Sequence, residues 1–144
     1  MNNKKAPIHL WVIGITFILI YSIGIYDFLM VQGNNVNYLN SLNLKGDVVE
    51  YFTNYPFALK ILWGINIFSG PLAATLLLLR KKTSIIFAIF AGVSKLILDI
   101  ITFSFMGRWE VFGVKTSLTD ISIILITFIF LIYCIRMRKK GVLK

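Results

Sequence analysis

The sequence is poor in the side chains on which most enzymes and metal proteins depend. Its 144 residues include one cysteine, Cys134, and one histidine, His9. A single cysteine excludes a disulfide within the chain and a CxxC redox pair, and a His/Cys zinc site needs more ligands than one chain offers. The sequence also lacks a phosphate-binding glycine loop and an HExxH motif. We therefore expect no metal and no cofactor, and an enzyme is the least favoured class of function.

Acidic residues are scarce as well. Six Asp and Glu stand against fifteen Lys and Arg, which gives a net charge of +9. In a soluble chain such an excess would suggest a nucleic-acid partner. Here 58% of the residues are hydrophobic and the mean hydropathy is +0.81, well beyond an ordinary soluble domain. We therefore expect a lipid bilayer as the partner and no nucleic acid.

Four long apolar runs are the main feature that is present. At about 1.5 Å of rise per residue, each is long enough to cross a hydrocarbon core about 30 Å thick. The pattern predicts an all-α integral membrane protein in which residues 1–144 form one domain, an antiparallel bundle of four transmembrane helices. The runs are Ile8–Val31, Phe57–Leu79, Ser84–Met106 and Leu118–Ile135.

The positions of the basic residues predict the orientation of this bundle. Ten of the cations lie before the first run, between the second and third, or after the fourth, and no acidic residue lies in those places. Short segments rich in Lys and Arg stay in the cytoplasm. We therefore expect a cell-membrane protein with both termini cytoplasmic. The ten cations are Lys4, Lys5, Arg80, Lys81, Lys82, Arg136, Arg138, Lys139, Lys140 and Lys144.

The longest connection, Gln32–Tyr55, follows the first run. Asp47 and Glu50 fit the acidic form of a capping box, and apolar and aromatic residues recur after them at helical spacing. The pattern predicts one short amphipathic helix on the outer membrane surface. It would serve either as an interfacial connector or as a lid over an outward-facing pocket.

Polar residues inside the apolar runs are the candidate site. Lys95 and Asp99 lie four residues apart, on one face of the third predicted helix. An isolated charge near the centre of a bilayer costs about 2.5–3.5 kcal/mol, so these two side chains should face other helices. We expect Asp27, Asn66 and Asp120, from the remaining helices, to converge with them on an outward-facing polar cavity.

Two interpretations of these residues stay open. In the leading one, the cavity binds a small polar or cationic solute, or a proton, and takes part in its transport, with a homo-oligomer supplying the pathway. In the other, Lys95 and Asp99 form a structural staple within a non-catalytic accessory, immunity or assembly subunit that has a membrane partner. Intramembrane charges usually find partners, which is compatible with both.

Several short stretches resemble a loose group of small bacterial four-helix membrane proteins. Members of this group are often labelled sugar transporters, and they are distantly similar to DoxX-like proteins. The resemblance implies a bacterial inner-membrane location and the four-helix fold, and it assigns no role to any residue of the candidate site. It is carried by Tyr55-Pro56, Trp63, Gly70, Leu76–Leu79 with Arg80-Lys81 after it, and Phe87–Phe90.

Overall fold

The computed structural model describes residues 6–42, 44 and 46–144, and its secondary structure there is helical. Four of the helices, α1, α4, α5 and α6, are long and apolar enough to cross a membrane, which confirms the predicted number of spans. The bounds are α1 Ile8–Gln32, α2 Val36–Ser41, α3 Val48–Thr53, α4 Phe57–Leu78, α5 Ser84–Phe105 and α6 Arg108–Lys139.

The start of α1, the α4–α5 turn and the end of α6 meet at one end of the bundle, which we call the terminal end. The Nδ1 atom of His9 lies 2.5 Å from the hydroxyl of Tyr133. The backbone N–H of Lys144 donates to the carbonyl of Arg80, and that of Lys82 donates to the carbonyl of Lys144, each at 2.8 Å. Consecutive long helices, in the order α1, α4, α5 and α6, therefore run in opposite directions.

The residues just before Lys144 also belong to the terminal end. Val142 and Leu143 are buried in the same apolar cluster as Leu10 and Leu77. The guanidinium Nε of Arg80 donates to the carbonyl of Val142 at 3.1 Å. The segment after α6 is thus packed across the α4–α5 turn.

Helices α4 and α5 form the most extensive helix pair. Small side chains let their backbones approach closely. The ring of Tyr21 from α1 lies against Gly70, where an added Cβ would come within 2.2 Å of a ring carbon. The small residues that are buried in these two helices include Ser69, Gly70, Ala73 and Ala74 on α4, and Ala88 and Gly92 on α5.

The opposite end of the bundle, which we call the loop end, is covered by α2 and α3. The predicted short helix is present as α3, and the carboxylate of Asp47 caps it by accepting from the N–H of Glu50 at 2.9 Å. Phe52 of α3 is buried, with ring centroids 5.9 Å from Trp63 and 5.8 Å from Phe112. Helix α3 therefore packs on the bundle through its aromatic side chains.

Helix α2 was not predicted, because the asparagine-rich stretch that contains it indicates a loop. An asparagine also explains where α2 begins. The side chain of Asn35 accepts a hydrogen bond from the N–H of Tyr38 at 3.0 Å, which satisfies one of the free donors of the first turn.

The fourth helix is longer than the predicted apolar span, Leu118–Ile135, which lies within it. The helix runs from Arg108 to Lys139 and contains one non-helical residue, Gly113, with φ 74° and ψ 174°. Hydropathy marks only the apolar part of a helix, whereas polar residues extend it at both ends. The other three predicted spans agree with the structure to within one residue at each end.

Candidate functional site

Three of the five predicted site residues meet inside the half of the bundle nearer the loop end, which we call the loop half. The Nζ of Lys95 donates to Oδ1 of Asp99 at 2.8 Å and to Oδ1 of Asp120 at 3.1 Å. Their exposed fractions are 7% for Lys95, 4% for Asp99 and 8% for Asp120. The charged face of α5 thus packs against α6 and does not face the surroundings of the bundle.

A fourth charged residue, Arg108, joins this group and was not predicted. Its Nε and Nη2 atoms each lie 2.9 Å from Oδ2 of Asp120. Its guanidinium also lies 4.4 Å from the ring centroid of Phe112, a distance at which a cation and an aromatic face attract each other. We call Lys95, Asp99, Arg108 and Asp120 the charge cluster.

The charge cluster contains two cations and two carboxylates. Burying an ion is costly unless it has an opposite charge and hydrogen bonds in compensation. Each cation here contacts at least one carboxylate, and Asp120 is shared between them. This pairing explains how four ionisable side chains are accommodated within an apolar bundle.

Two buried polar atoms, one in the charge cluster and one on α3, have no hydrogen-bond partner by geometry among the described residues. They are Oδ2 of Asp99 and the hydroxyl of Tyr51, and both are buried. Burial raises the pKa of Tyr51, and Arg108 opposes this shift only in part, so the phenol stays protonated as a donor. A buried polar atom without a partner costs about 1–3 kcal/mol. The Oδ2 of Asp99 is therefore free to accept a hydrogen bond, and the O–H of Tyr51 is free to donate one.

The remaining two predicted residues have partners outside the charge cluster. The Oδ1 of Asp27 accepts from the hydroxyl of Tyr38 on α2 at 2.7 Å. The Nδ2 of Asn66 donates to the carbonyl of Ala91 on α5 at 2.8 Å. Burial, together with the Asp27 carboxylate, raises the pKa of Tyr38 and keeps it a donor. Asp27 and Asn66 thus connect helices, and neither is hydrogen-bonded to the cluster.

Two surface cavities lie at the loop end, and neither is lined by any of the five predicted residues. The guanidinium of Arg108 lies beside Asp120 in the charge cluster and faces the ring of Phe112. Among the described residues, no group of three His, Cys, Asp or Glu side chains could hold a metal ion. The larger cavity, of about 420 Å³, is lined by Asp47, Glu50, Tyr51, Asn54, Phe105, Met106 and Val111. The smaller, of about 220 Å³, is lined by Asn34, Val36, Leu39, Val49, Phe52, Thr53 and Lys60.

Only one residue of the cluster was missed from the sequence. Arg108 lies twelve positions before Asp120, a separation that does not place two side chains together on one continuous helix. The available signal was Gly113 between them, because a glycine inside a helical pattern can mark a change of chain direction.

Comparison with known proteins leaves the resemblance to small bacterial four-helix membrane proteins as a prediction. Function therefore has to be argued from the charge cluster and its surroundings. No protein-family model, no curated protein and no solved structure matches this chain.

Proposed function

We propose that this chain is a multi-pass membrane protein that binds a small polar or cationic solute at the charge cluster and takes part in its transport. The observation that carries the proposal is Oδ2 of Asp99, which is buried and has no hydrogen-bond partner among the described residues. A carboxylate oxygen kept dry without a partner lowers stability. Occupation by a donor group of a solute would remove that cost.

The distribution of charge supports an orientation for this function. Of the ten cations named above, the eight in the described part of the chain lie toward the terminal end or in the segments beside it, and Lys4 and Lys5 precede α1 in the sequence. The six acidic residues lie in the loop half. By the positive-inside rule, the proposed topology has both termini in the cytoplasm and α2 and α3 outside the cell membrane. The solute would then approach from outside. Four helices enclose little pathway, so transport would involve a homo-oligomer.

The direct test is ligand-induced stabilisation of the purified protein in detergent. A panel of small amines, amides and polyols is scanned for an increase in the unfolding temperature, because a ligand of the folded state raises it. We expect at least one solute to stabilise the wild type and to lose its effect on Asp99→Asn. Arg138→Gln, at an exposed position near the other end of α6, should behave as wild type. A panel without any stabilising solute would count against the proposal.

The alternative is a non-catalytic accessory subunit in which the cluster is only a structural staple. Its support is the balance of two cations and two carboxylates, which needs no ligand. A double-mutant cycle with Lys95→Leu, Asp99→Leu and the double variant separates the two functions. A staple requires that both single changes are strongly destabilising and that the double variant recovers the part of the loss that comes from the Lys95–Asp99 pair.

Solute binding gives another outcome of the same cycle. Lys95→Leu leaves Oδ1 of both Asp99 and Asp120 unpaired and should cost about 3–5 kcal/mol. Asp99→Leu removes one paired and one unpaired oxygen, so its cost should be clearly smaller. The double variant loses the contact between Lys95 and Asp120 under either function, so the cost of Asp99→Leu alone separates the two. Thermal or denaturant unfolding in detergent measures all four proteins.

A further inference from the structure

The first turn of α6, residues 108–112, lies between two glycines with positive φ. Gly107 has φ 56° and ψ 31°, and Gly113 has φ 74° and ψ 174°. Side chains other than glycine rarely adopt such angles. The chain can therefore change direction on both sides of the turn, which we call the 108–112 segment.

Few contacts of this segment hold it in the bundle. Arg108 reaches Asp120, and the ring of Phe112 is buried with its centroid 5.2 Å from that of Tyr51. The carbonyl of Val111 accepts from the N–H of Gly46 at 2.9 Å. Trp109 and Glu110, by contrast, are exposed. Among the described residues, the segment is thus attached by the guanidinium of Arg108, by the rings of Phe112 and Trp109 and by one backbone hydrogen bond.

Arg108 decides the charge of the cluster. While it is in place, two cations face two carboxylates. If the segment moved away, Lys95 alone would face Asp99 and Asp120, and the buried group would carry a net negative charge. A desolvated negative charge of this kind attracts a cation strongly, because the local dielectric constant is low.

We infer that the guanidinium of Arg108 occupies a cation-binding site of its own chain. When the 108–112 segment swings out, this site binds a small organic cation with guanidinium or ammonium donors. This inference rests on the proposed solute-binding function. The Oδ2 of Asp99, buried and unpartnered, supplies an acceptor that Arg108 does not use. The incoming cation would replace Arg108 at Asp120 and also satisfy Asp99.

The larger cavity supplies the approach to this site. Val111 of the 108–112 segment and Tyr51, which packs on Phe112, both line it. Its rim carries the exposed carboxylates of Asp47 and Glu50, which raise the local concentration of cations. Movement of the segment would extend this cavity toward Asp120.

The test is binding of methylguanidinium to the purified protein, measured by calorimetry, with neutral methylurea as the control ligand. Arg108→Gln removes the guanidinium that competes with the ligand for the site. Arg138→Gln, the control variant, removes an exposed arginine at the other end of the same helix. Affinity is reduced by the fraction of molecules in which the site is open. We expect Arg108→Gln to bind methylguanidinium about tenfold more tightly than wild type, or more, and Arg138→Gln to match wild type.

Equal or weaker binding by Arg108→Gln would overturn the inference. If the wild type still bound another solute of the panel in an Asp99-dependent way, the proposed function would survive that result. Binding of methylurea with the same gain would also overturn it, since the gain would then reflect space and not charge.

A second measurement uses the wild type alone and so does not depend on how Arg108→Gln folds. Hydrogen exchange is followed with and without saturating methylguanidinium. We expect faster amide exchange in residues 108–112 on binding, and no change in residues 95–99. Unchanged exchange in the 108–112 segment would show that the segment does not swing out, and would overturn the inference.

Discussion

The absence of a side chain at Gly70 affects the packing of three helices. The Tyr21 ring of α1 occupies the position that a Cβ on α4 would take. The hydroxyl of Tyr21 then lies 3.1 Å from Oγ1 of Thr127 on α6. Close packing of α1 on α4 and a hydrogen bond between α1 and α6 therefore depend on the same glycine.

We predict that Gly70→Ala destabilises the folded protein by about 1–3 kcal/mol, the usual cost of overpacking a closely packed interior. The added methyl group would lie 2.2 Å from the Tyr21 ring, so the ring or the helix must shift. Gly64→Ala in the same helix is the matched control, because its Cβ would meet Phe28 at an ordinary 3.7 Å. Equal unfolding temperatures for the two variants in detergent would contradict this prediction.

The sequence allowed most of the charge cluster to be predicted, residue by residue. Lys95 and Asp99 follow from a spacing of four, which is a local property of one helix. Asp120 follows from its place in the loop half of the last span. Arg108 could not be found in this way, since its approach to Asp120 depends on the backbone angles of Gly113, which hydropathy does not report. Asp27 and Asn66 were placed in the right half but have other partners.

The helices themselves differ in how well the sequence specifies them. Spans with sharp apolar boundaries, such as α4 and α5, were predicted to within one residue at each end. The start of α6 was not predicted, because residues 108–117 include charged, polar and aromatic side chains, which lower the hydropathy there. Its helical conformation comes from propensity and from packing of Phe112 under α3, and the second of these is a tertiary effect.

We predict that Gly113→Ala destabilises the protein by about 1–3 kcal/mol through backbone strain alone. A Cβ at this position would find no atom within 4 Å, so crowding contributes nothing. The combination of φ 74° and ψ 174° is accessible essentially to glycine only.

Gly107→Asn is the control for that change. Its φ of 56° and ψ of 31° lie in the left-handed helical region, which asparagine tolerates, and asparagine is also a good N-cap. We expect its unfolding temperature to remain near that of wild type. If both variants unfolded like wild type, the break at Gly113 would not be required by the fold.

For the bundle in its membrane, the central prediction is orientation. In a Cys134→Ser background, a cysteine replaces either Glu50 on α3 or Lys140 after α6, both exposed positions. A membrane-impermeant maleimide should label Glu50→Cys in intact cells, and Lys140→Cys only after the membrane is permeabilised. The reverse pattern would contradict the proposed topology. The number of spans predicted from the sequence agrees with the structure, whereas the orientation stays a prediction that this labelling tests. Periodicity alone does not show which apolar faces meet lipid.

The packing of residues 142–144 across the α4–α5 turn bears on the order in which the protein is assembled. The α4–α5 hairpin is synthesised before α6 and closes through local contacts. The backbone groups of Arg80 and Lys82 can form their hydrogen bonds with Lys144 only after all of α6 has been synthesised. Until then the apolar surface around Leu77 lacks Val142 and Leu143. Until α6 is complete, the terminal end of the α4–α5 hairpin is therefore expected to lie without the cover of residues 142–144, so this end of the bundle is the last part of the fold to close.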